Sequence, residues 1–131
     1  MKYNSINHSK YSIRYHIIFV CKYRKKLLLR LGDKIKQYSY DISNKYDFTI
    51  LEMEVDVDHI HYMIESVPKL SPLMIVRVLK QQTTVLSWKN HNTYLKKHFW
   101  KEKTLWTDGY FISSIGEVSS KTLAKYIKNQ G

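Results

Sequence analysis

His59-Ile60-His61 sets two imidazoles two residues apart in mid-chain, and Tyr126 and Gln130 stand four apart near its end. In an extended strand, residues two apart share a face and lie about 6.5–7 Å from each other along the backbone. Two imidazoles at that spacing can converge on one divalent cation. In a helix, residues four apart share a face, so Tyr126 and Gln130 present a phenol and an amide oxygen side by side. The four residues offer two nitrogen ligands, one oxygen ligand and one nucleophile, on a chain of net charge +11. That combination points to metal-assisted phosphodiester chemistry on nucleic acid.

Neither half carries the reading alone. Histidine pairs in strands also serve packing or hydrogen bonding, and Tyr126 is one of 11 tyrosines. A phenol with a pKa near 10 needs positive charge or a metal beside it to react as phenolate, and Lys125 and Lys128 flank this one. Two imidazoles and an amide oxygen leave coordination positions open, which suits Mg²⁺ or Mn²⁺ bridging to phosphate better than a closed zinc site. Glu52, Glu54, Asp56 and Asp58 precede the histidines. They can orient the imidazoles or form an ordinary solvated strand face.

The elements that must position these groups follow from apolar periodicity. Ser12 to Tyr23, with Ile13, Tyr15, Ile17, Ile18, Phe19 and Val20, reads as a strand. Leu31, Ile35, Tyr38 and Ile42 recur at helical spacing, predicting a helix to about Tyr46. From Phe48 to Val57 the pattern alternates: Leu51, Met53, Val55 and Val57 face one way, with Ile50 out of phase, and Glu52, Glu54 and Asp56 face the other. A third strand over His59 to Val67 sets Ile60, Tyr62 and Ile64 against His59, His61 and Met63.

Ser71-Pro72 has the residues of an N-cap and first helical position, and a helix should run from there to about Trp88. Lys89–Lys103 is polar and irregular. Leu105 to Ile115 is strand-like, interrupted at Asp108-Gly109, and a last helix begins near Ser119. The order predicts a ferredoxin-like α+β fold, a β-α-β-β-α-β sandwich with an antiparallel sheet and an added C-terminal helix. One domain over 1–131 is expected, its core at about 10–115 and the terminal helix at about 119–130.

Lys and Arg number 22 against 11 acids, with a sequence pI near 9.7 and 14% aromatic residues, the footprint of a phosphate-rich partner. Candidate phosphate contacts are Arg14, Lys22, Arg24, Lys25 and Lys26, then Lys96, Lys97, Lys101 and Lys103. Tyr94, Phe99, Trp100 and Trp106 interleave with the second group and can stack unpaired bases. The single cysteine, Cys21, rules out an internal disulfide. No run approaches the roughly 20 apolar residues of a membrane helix, and Met1 to Lys10 lacks a signal-peptide core. A cytoplasmic location is the expectation.

Several segments together have a family character: Tyr15-His16-Ile17-Ile18-Phe19 with Lys22-Tyr23-Arg24-Lys25, Asp58-His59-Ile60-His61, and Pro68-Lys69-Leu70-Ser71-Pro72. Leu105-Trp106-Thr107, Gly109-Tyr110-Phe111 and Lys125-Tyr126-Ile127-Lys128-Asn129-Gln130 complete the set. In these the chain resembles the single-tyrosine HUH transposases of the IS200/IS605-like family, over nearly its whole length. The resemblance implies that His59 and His61 bind a divalent metal with Gln130. It also implies that Tyr126 attacks a DNA phosphate at a transposon end, leaving a 3′-hydroxyl and a 5′-phosphotyrosine. It further implies single-stranded DNA bearing hairpins as substrate, and a homodimer in which the terminal helix docks on the partner and completes its site.

The chain departs from the family pattern at Gly116-Glu117, where many members carry two glycines. Gln81-Gln82-Thr83-Thr84 stands where a glycine and a serine pair are frequent, a difference expected to alter DNA contacts. The chain stops one residue beyond Gln130. A non-catalytic binder of single-stranded DNA or RNA on the same scaffold is the alternative. It would need neither metal nor Tyr126.

Overall fold

Eight successive residues, Ile13–Val20, form one of the two inner strands of a four-stranded antiparallel sheet. The computed structural model describes residues 4–6, 9–11, 13–114 and 120–130. In chain order the elements are β1 (Asn4–Ile6), β2 (Ser9–Tyr11), β3 (Ile13–Val20), α1 (Leu28–Tyr46), β4 (Thr49–Val55) and β5 (His59–Ser66). After these come α2 (Pro72–Asn90), α3 (Asn92–Lys96), β6 (Phe111–Ser114) and α4 (Ser120–Lys128). β1 and β2 pair with each other, while the main sheet runs β4-β5-β3-β6. With the first of its four strands in chain order beside the third, this is the ferredoxin-like order inferred from the sequence. The Gly116-Glu117 step and Ser119, the expected start of the last helix, lie outside the described residues.

One sheet face makes the core. Ile17, Phe19, Ile60, Tyr62 and Ile64 are fully buried against Leu31 and Ile35 of α1 and Ile75 and Leu79 of α2. The Tyr62 hydroxyl, at the centre of this layer, is satisfied by Ser39 at 2.8 Å, and Ser39 in turn donates to the Ile35 carbonyl at 2.7 Å. Ser71 caps α2 by accepting from the Met74 amide at 3.1 Å, with Pro72 opening the helix.

Three expectations need correction. A bulge between Ile50 and Glu52 inserts one extra residue into β4, so Ile50 joins Met53 in the core and Leu51 is extruded to solvent. The parity of Glu52 and Glu54, after the bulge, is as expected. The Lys89–Lys103 stretch is not wholly irregular, because it contains the end of α2 and the short α3. The strand expected from Leu105 becomes β6 only at Phe111; before it, Trp106 makes an isolated bridge to Cys21.

That bridging segment is anchored to α2 by two indoles. Trp88 Nε1 donates to the Thr104 carbonyl at 2.8 Å, and Trp106 Nε1 donates to Thr83 Oγ1 at 2.9 Å. Thr83 is fully buried; it is a structural residue of the core rather than a DNA contact. Thr83→Val keeps the shape but leaves a buried indole N–H unpaired. It should lower the unfolding free energy by about 1–3 kcal/mol, seen as a lower urea midpoint with unchanged slope. A variant as stable as the parent chain would discount this anchor.

Candidate active site

The sheet face turned away from the core carries the chemistry-bearing residues. Glu54 of β4, His61 of β5, Ile18 of β3 and Phe111 of β6 lie in register in one row across it. His59 and Val20 form the next paired position on the inner strands. The odd residues of β5 are half-buried and the even ones buried, which is the parity read from the sequence.

Each imidazole has a polar neighbour. Asp58, in the turn before β5, meets His59 Nδ1 through Oδ1 at 2.9 Å and accepts from Arg24 Nε through Oδ2 at 3.2 Å. The His59 ring thereby keeps Nε2 as its free nitrogen. Burial works against ionisation of Asp58, but the hydrogen bonds from His59 and Arg24 prevail and hold its carboxyl below the ordinary value. Arg24 reaches this position from a single 3₁₀ turn, Lys22–Arg24, in which Tyr23 and Arg24 adopt left-handed φ values of 60° and 52°. Non-glycine residues adopt that conformation at a cost. His61 Nε2 lies 2.9 Å from His16 Nδ1 on β3. Burial, and then the neighbouring His16, push His61 below the ordinary imidazole value, so it is neutral at pH 7.

His59 and His61 line one small cleft of about 180 Å³ with Ile18, Glu54, Asp56 and, from α4, Ile127. Two imidazoles, one with a nitrogen freed by Asp58, beside two carboxylates are a donor set that suits a divalent cation with open positions. Among the described residues, no three His, Cys, Asp or Glu side chains are grouped closely enough to enclose a metal by themselves. A larger cleft of about 610 Å³ lies between α2 and residues 103–110 and contains neither histidine.

Tyr126 and Gln130 are placed differently from the histidines. α4 lies on its own chain's sheet, and Arg24 Nη1 donates to the Lys128 carbonyl at its C-terminus at 3.4 Å. The Tyr126 ring packs on Phe111, with centroids 5.3 Å apart. Phe111 is two strands from His61 along its row, or about 10 Å at ordinary strand spacing. The Tyr126 hydroxyl is buried, finds no hydrogen-bond partner among the described residues, and sits 3.9 Å from where a Cβ on Gly109 would be. Burial pushes its pKa up, the opposite of what a nucleophile needs. Gln130 is half-buried in the turn after α4, its backbone N–H donating to the Ile127 carbonyl at 3.1 Å. The structure therefore brings His59 and His61 together and holds Tyr126 to one side.

Among the expected phosphate contacts, Arg14 pairs with Glu65 at 3.0 Å and Lys22 with Asp108 at 3.2 Å. Lys26, Lys96, Lys97, Lys101 and Lys103 are exposed, and Lys25 lies over the Phe99 ring. Of the interleaved aromatics, Phe99 and Trp106 are buried and cannot stack a base, and Arg30 lies over the Tyr94 ring. Trp100 is 80% exposed, with Lys101 Nζ 4.9 Å from its ring centre.

Two contributors escaped the sequence reading. His16 offered a signal, since Arg14 and His16 are polar at alternate positions of an otherwise apolar strand. Lys80 offered none: its Nζ donates to the carbonyls of Thr107, Asp108 and Gly109 at 2.7, 3.0 and 3.1 Å, fixing the loop beside the Tyr126 hydroxyl.

The family description "Transposase IS200 like" matches residues 9–130. The chain is 27% identical over 129 residues to the transposase for insertion sequence element IS200 of Salmonella typhimurium, covering 96% of this chain and 82% of that protein. It is 28% identical over 121 residues to the ISDra2 transposase TnpA of Deinococcus radiodurans, covering 92% and 85%. A crystal structure described as a transposase of Deinococcus radiodurans superposes with a TM-score of 0.86 at 25% identity, over 99% of this chain and 98% of that one. A REP-associated tyrosine transposase bound to a REP hairpin shares the fold, with a TM-score of 0.57 at 14% identity over 94% and 68%.

The Asp58 contacts make a stability prediction. A carboxyl whose folded pKa is depressed stabilises above its unfolded value and loses that contribution as pH falls through the folded one. Asp58→Asn should therefore cost about 1–2 kcal/mol at pH 7, and the difference from the parent chain should narrow below about pH 4. Urea unfolding at pH 7, 4 and 3 measures it; a difference independent of pH would remove the charge from the argument.

Proposed function

The chain belongs to the IS200-like transposase family and is a transposase, and from that premise we propose that it cleaves and rejoins single-stranded DNA at hairpin-bearing transposon ends through Tyr126. The observation that supports this most directly is that His59 and His61 line one cleft together with Ile127, the residue next to Tyr126. Residues 1–131 act as one transposase domain on this reading, in the cytoplasm. Among the described residues no helix is long and apolar enough to cross a membrane.

The chain's own groups divide the work. His59 and His61, with Gln130, would hold Mg²⁺ or Mn²⁺. When bound, the ion supplies Lewis-acid polarisation of the scissile phosphate. Asp58 and Arg24 keep His59 oriented. The Tyr126 oxygen attacks phosphorus, the bond to the 3′ oxygen breaks, and that oxygen leaves as a 3′-hydroxyl while the 5′ side stays on Tyr126. A second 3′-hydroxyl then attacks the phosphotyrosine, returning the proton to Tyr126 and resealing the strand. The linkage preserves the phosphodiester's free energy, so no nucleotide cofactor is required. Exposed lysines and the net charge of +11 draw the DNA in. A hairpin is the ligand held by a neighbour of the same fold.

Tyr126 must leave its buried position beside Phe111 to act. Exchange of α4 between two copies of the chain would bring a tyrosine to a histidine pair that its own helix passes by. On this reading the enzyme is a homodimer with sites shared between subunits.

Labelled single strands carrying a hairpin, with Mg²⁺ or Mn²⁺, should give a denaturant-resistant protein–DNA adduct. Tyr126→Phe and His59→Ala should each abolish it, and heterodimers of the two should regain part of it. Adduct from Tyr126→Phe would remove Tyr126 as nucleophile, and confirmed heterodimers without recovery would place each site within one chain. Hairpin binding unaffected by EDTA, with no adduct under either metal, would favour the non-catalytic binder. Separately, Trp100→Ala should weaken single-strand binding about 5–150-fold, the worth of one base stacked on an aromatic ring. Fluorescence anisotropy of a dye-labelled single strand reads both chains alike; unchanged affinity would leave Trp100 outside the DNA path.

A further inference from the structure

We infer that His16 is a positioning residue of the active site, accepting a hydrogen bond from His61 Nε2 so that the other ring nitrogen of His61 stays free to bind a cation. The inference rests on the reading that His59 and His61 hold a divalent metal.

The β3–β5 register pairs Ile18 with His61 and His16 with Met63, which puts His16 on the same face as His61 and diagonal to it. The two rings are tilted by 34° with centroids 5.0 Å apart, and His16 Nδ1 is 2.9 Å from His61 Nε2. Both residues are half-buried, so water competes weakly for the contact.

A neutral imidazole has one N–H and one lone pair, and only one proton can occupy the contact. Were His16 the donor, His61 would carry its own proton on Nδ1 and have no lone pair left to give. With His61 the donor, its Nδ1 lone pair is free. Only the second arrangement makes His61 a ligand. It also matches the neighbouring ring, where the carboxylate of Asp58 engages His59 Nδ1 and leaves Nε2.

The two partners differ in charge, and the difference is useful. Asp58 is anionic but already paired with Arg24. A second carboxylate at the position of His16 would have no such counter-charge and would oppose an incoming phosphate. An imidazole orients His61 without adding negative charge to a cleft that already contains Glu54 and Asp56.

The test is Mn²⁺ binding to the full chain without DNA, by calorimetry and electron paramagnetic resonance, independent of cleavage. His16→Phe keeps the ring volume and loses the acceptor, and should weaken Mn²⁺ binding about 10–100-fold. His16→Asn puts an amide oxygen near the position of Nδ1 and should stay within about threefold of the parent chain. Should the Phe variant prove unfolded by circular dichroism, His16→Ala reads the same loss. Pulsed resonance at saturating Mn²⁺ should count the same number of coupled imidazoles in the parent chain and in every folded variant.

Unweakened binding in the variants lacking the acceptor would overturn the inference. So would a count that falls by one when His16 is replaced, since His16 would then be a ligand itself. A parent chain that binds Mn²⁺ no better than His59→Ala would instead overturn the metal reading on which the inference rests.

Discussion

The pairing of β3 with β5 is the constraint on which the rest of the molecule depends. Eight consecutive residue pairs, from Ile13 opposite Ser66 to Val20 opposite His59, fix both strands at the centre of the sheet. Side-chain direction alternates along a strand, so this register decides at once what enters the core and what faces the site. A slip of one residue would drive two histidines into the layer that holds Phe19, Ile60 and Tyr62, and turn those three outward. The buried apolar area makes that slip prohibitive. The geometry of the histidine pair is therefore guarded by the hydrophobic core on the opposite face.

Around that fixed face the chain stores its polar contacts in short-range pairs. The turn at Tyr23 and Arg24 takes a costly backbone conformation and delivers one guanidinium to two places, the carboxylate of Asp58 and the C-terminal carbonyl of α4. The orientation of His59 and the seating of the tyrosine-bearing helix are thus joined through a single side chain. Lys80 does a similar service on the other side, gathering three carbonyls of the loop against which Tyr126 rests. Both cations tie backbone carbonyls of loops or helix ends to the rest of the fold.

How much of this was legible follows from how local each feature is. The parity of His59, His61 and the apolar residues between them is a property of one strand, and the sequence alone placed it. The N-cap at Ser71 and the spacing of α1 are equally local. The bulge at Leu51 was not legible, because an inserted residue changes which face a side chain occupies without changing the composition around it. His16 was missed for a different reason: Ile17 and Ile18 are both buried, so the first strand is apolar on both faces and its alternation is blurred. Phe99, Trp100 and Trp106 looked equivalent in sequence, yet only the fold distinguishes two core rings from one solvent-facing ring. The position of Tyr126 over Phe111, rather than over the histidines, depends on how α4 docks, which no local pattern states.

The local electrostatics of the cleft give the cation its place in the proposed mechanism. The chain as a whole is strongly basic, but the histidine cleft is lined by Glu54 and Asp56, and Glu54 stands opposite His61 in the sheet. The long-range field of the protein attracts a phosphodiester, while the last few ångströms of approach bring it toward two carboxylates. At such distances the nearby charges outweigh the distant, screened lysines. A phosphate can settle beside His59 and His61 only if positive charge is supplied within the cleft itself. The nearby Arg24 guanidinium is engaged by Asp58 and the Lys128 carbonyl, and Lys125 and Lys128 beside Tyr126 are exposed. A divalent ion held between the histidines would supply it, and the same acidic surroundings that repel bare phosphate would favour the ion's binding.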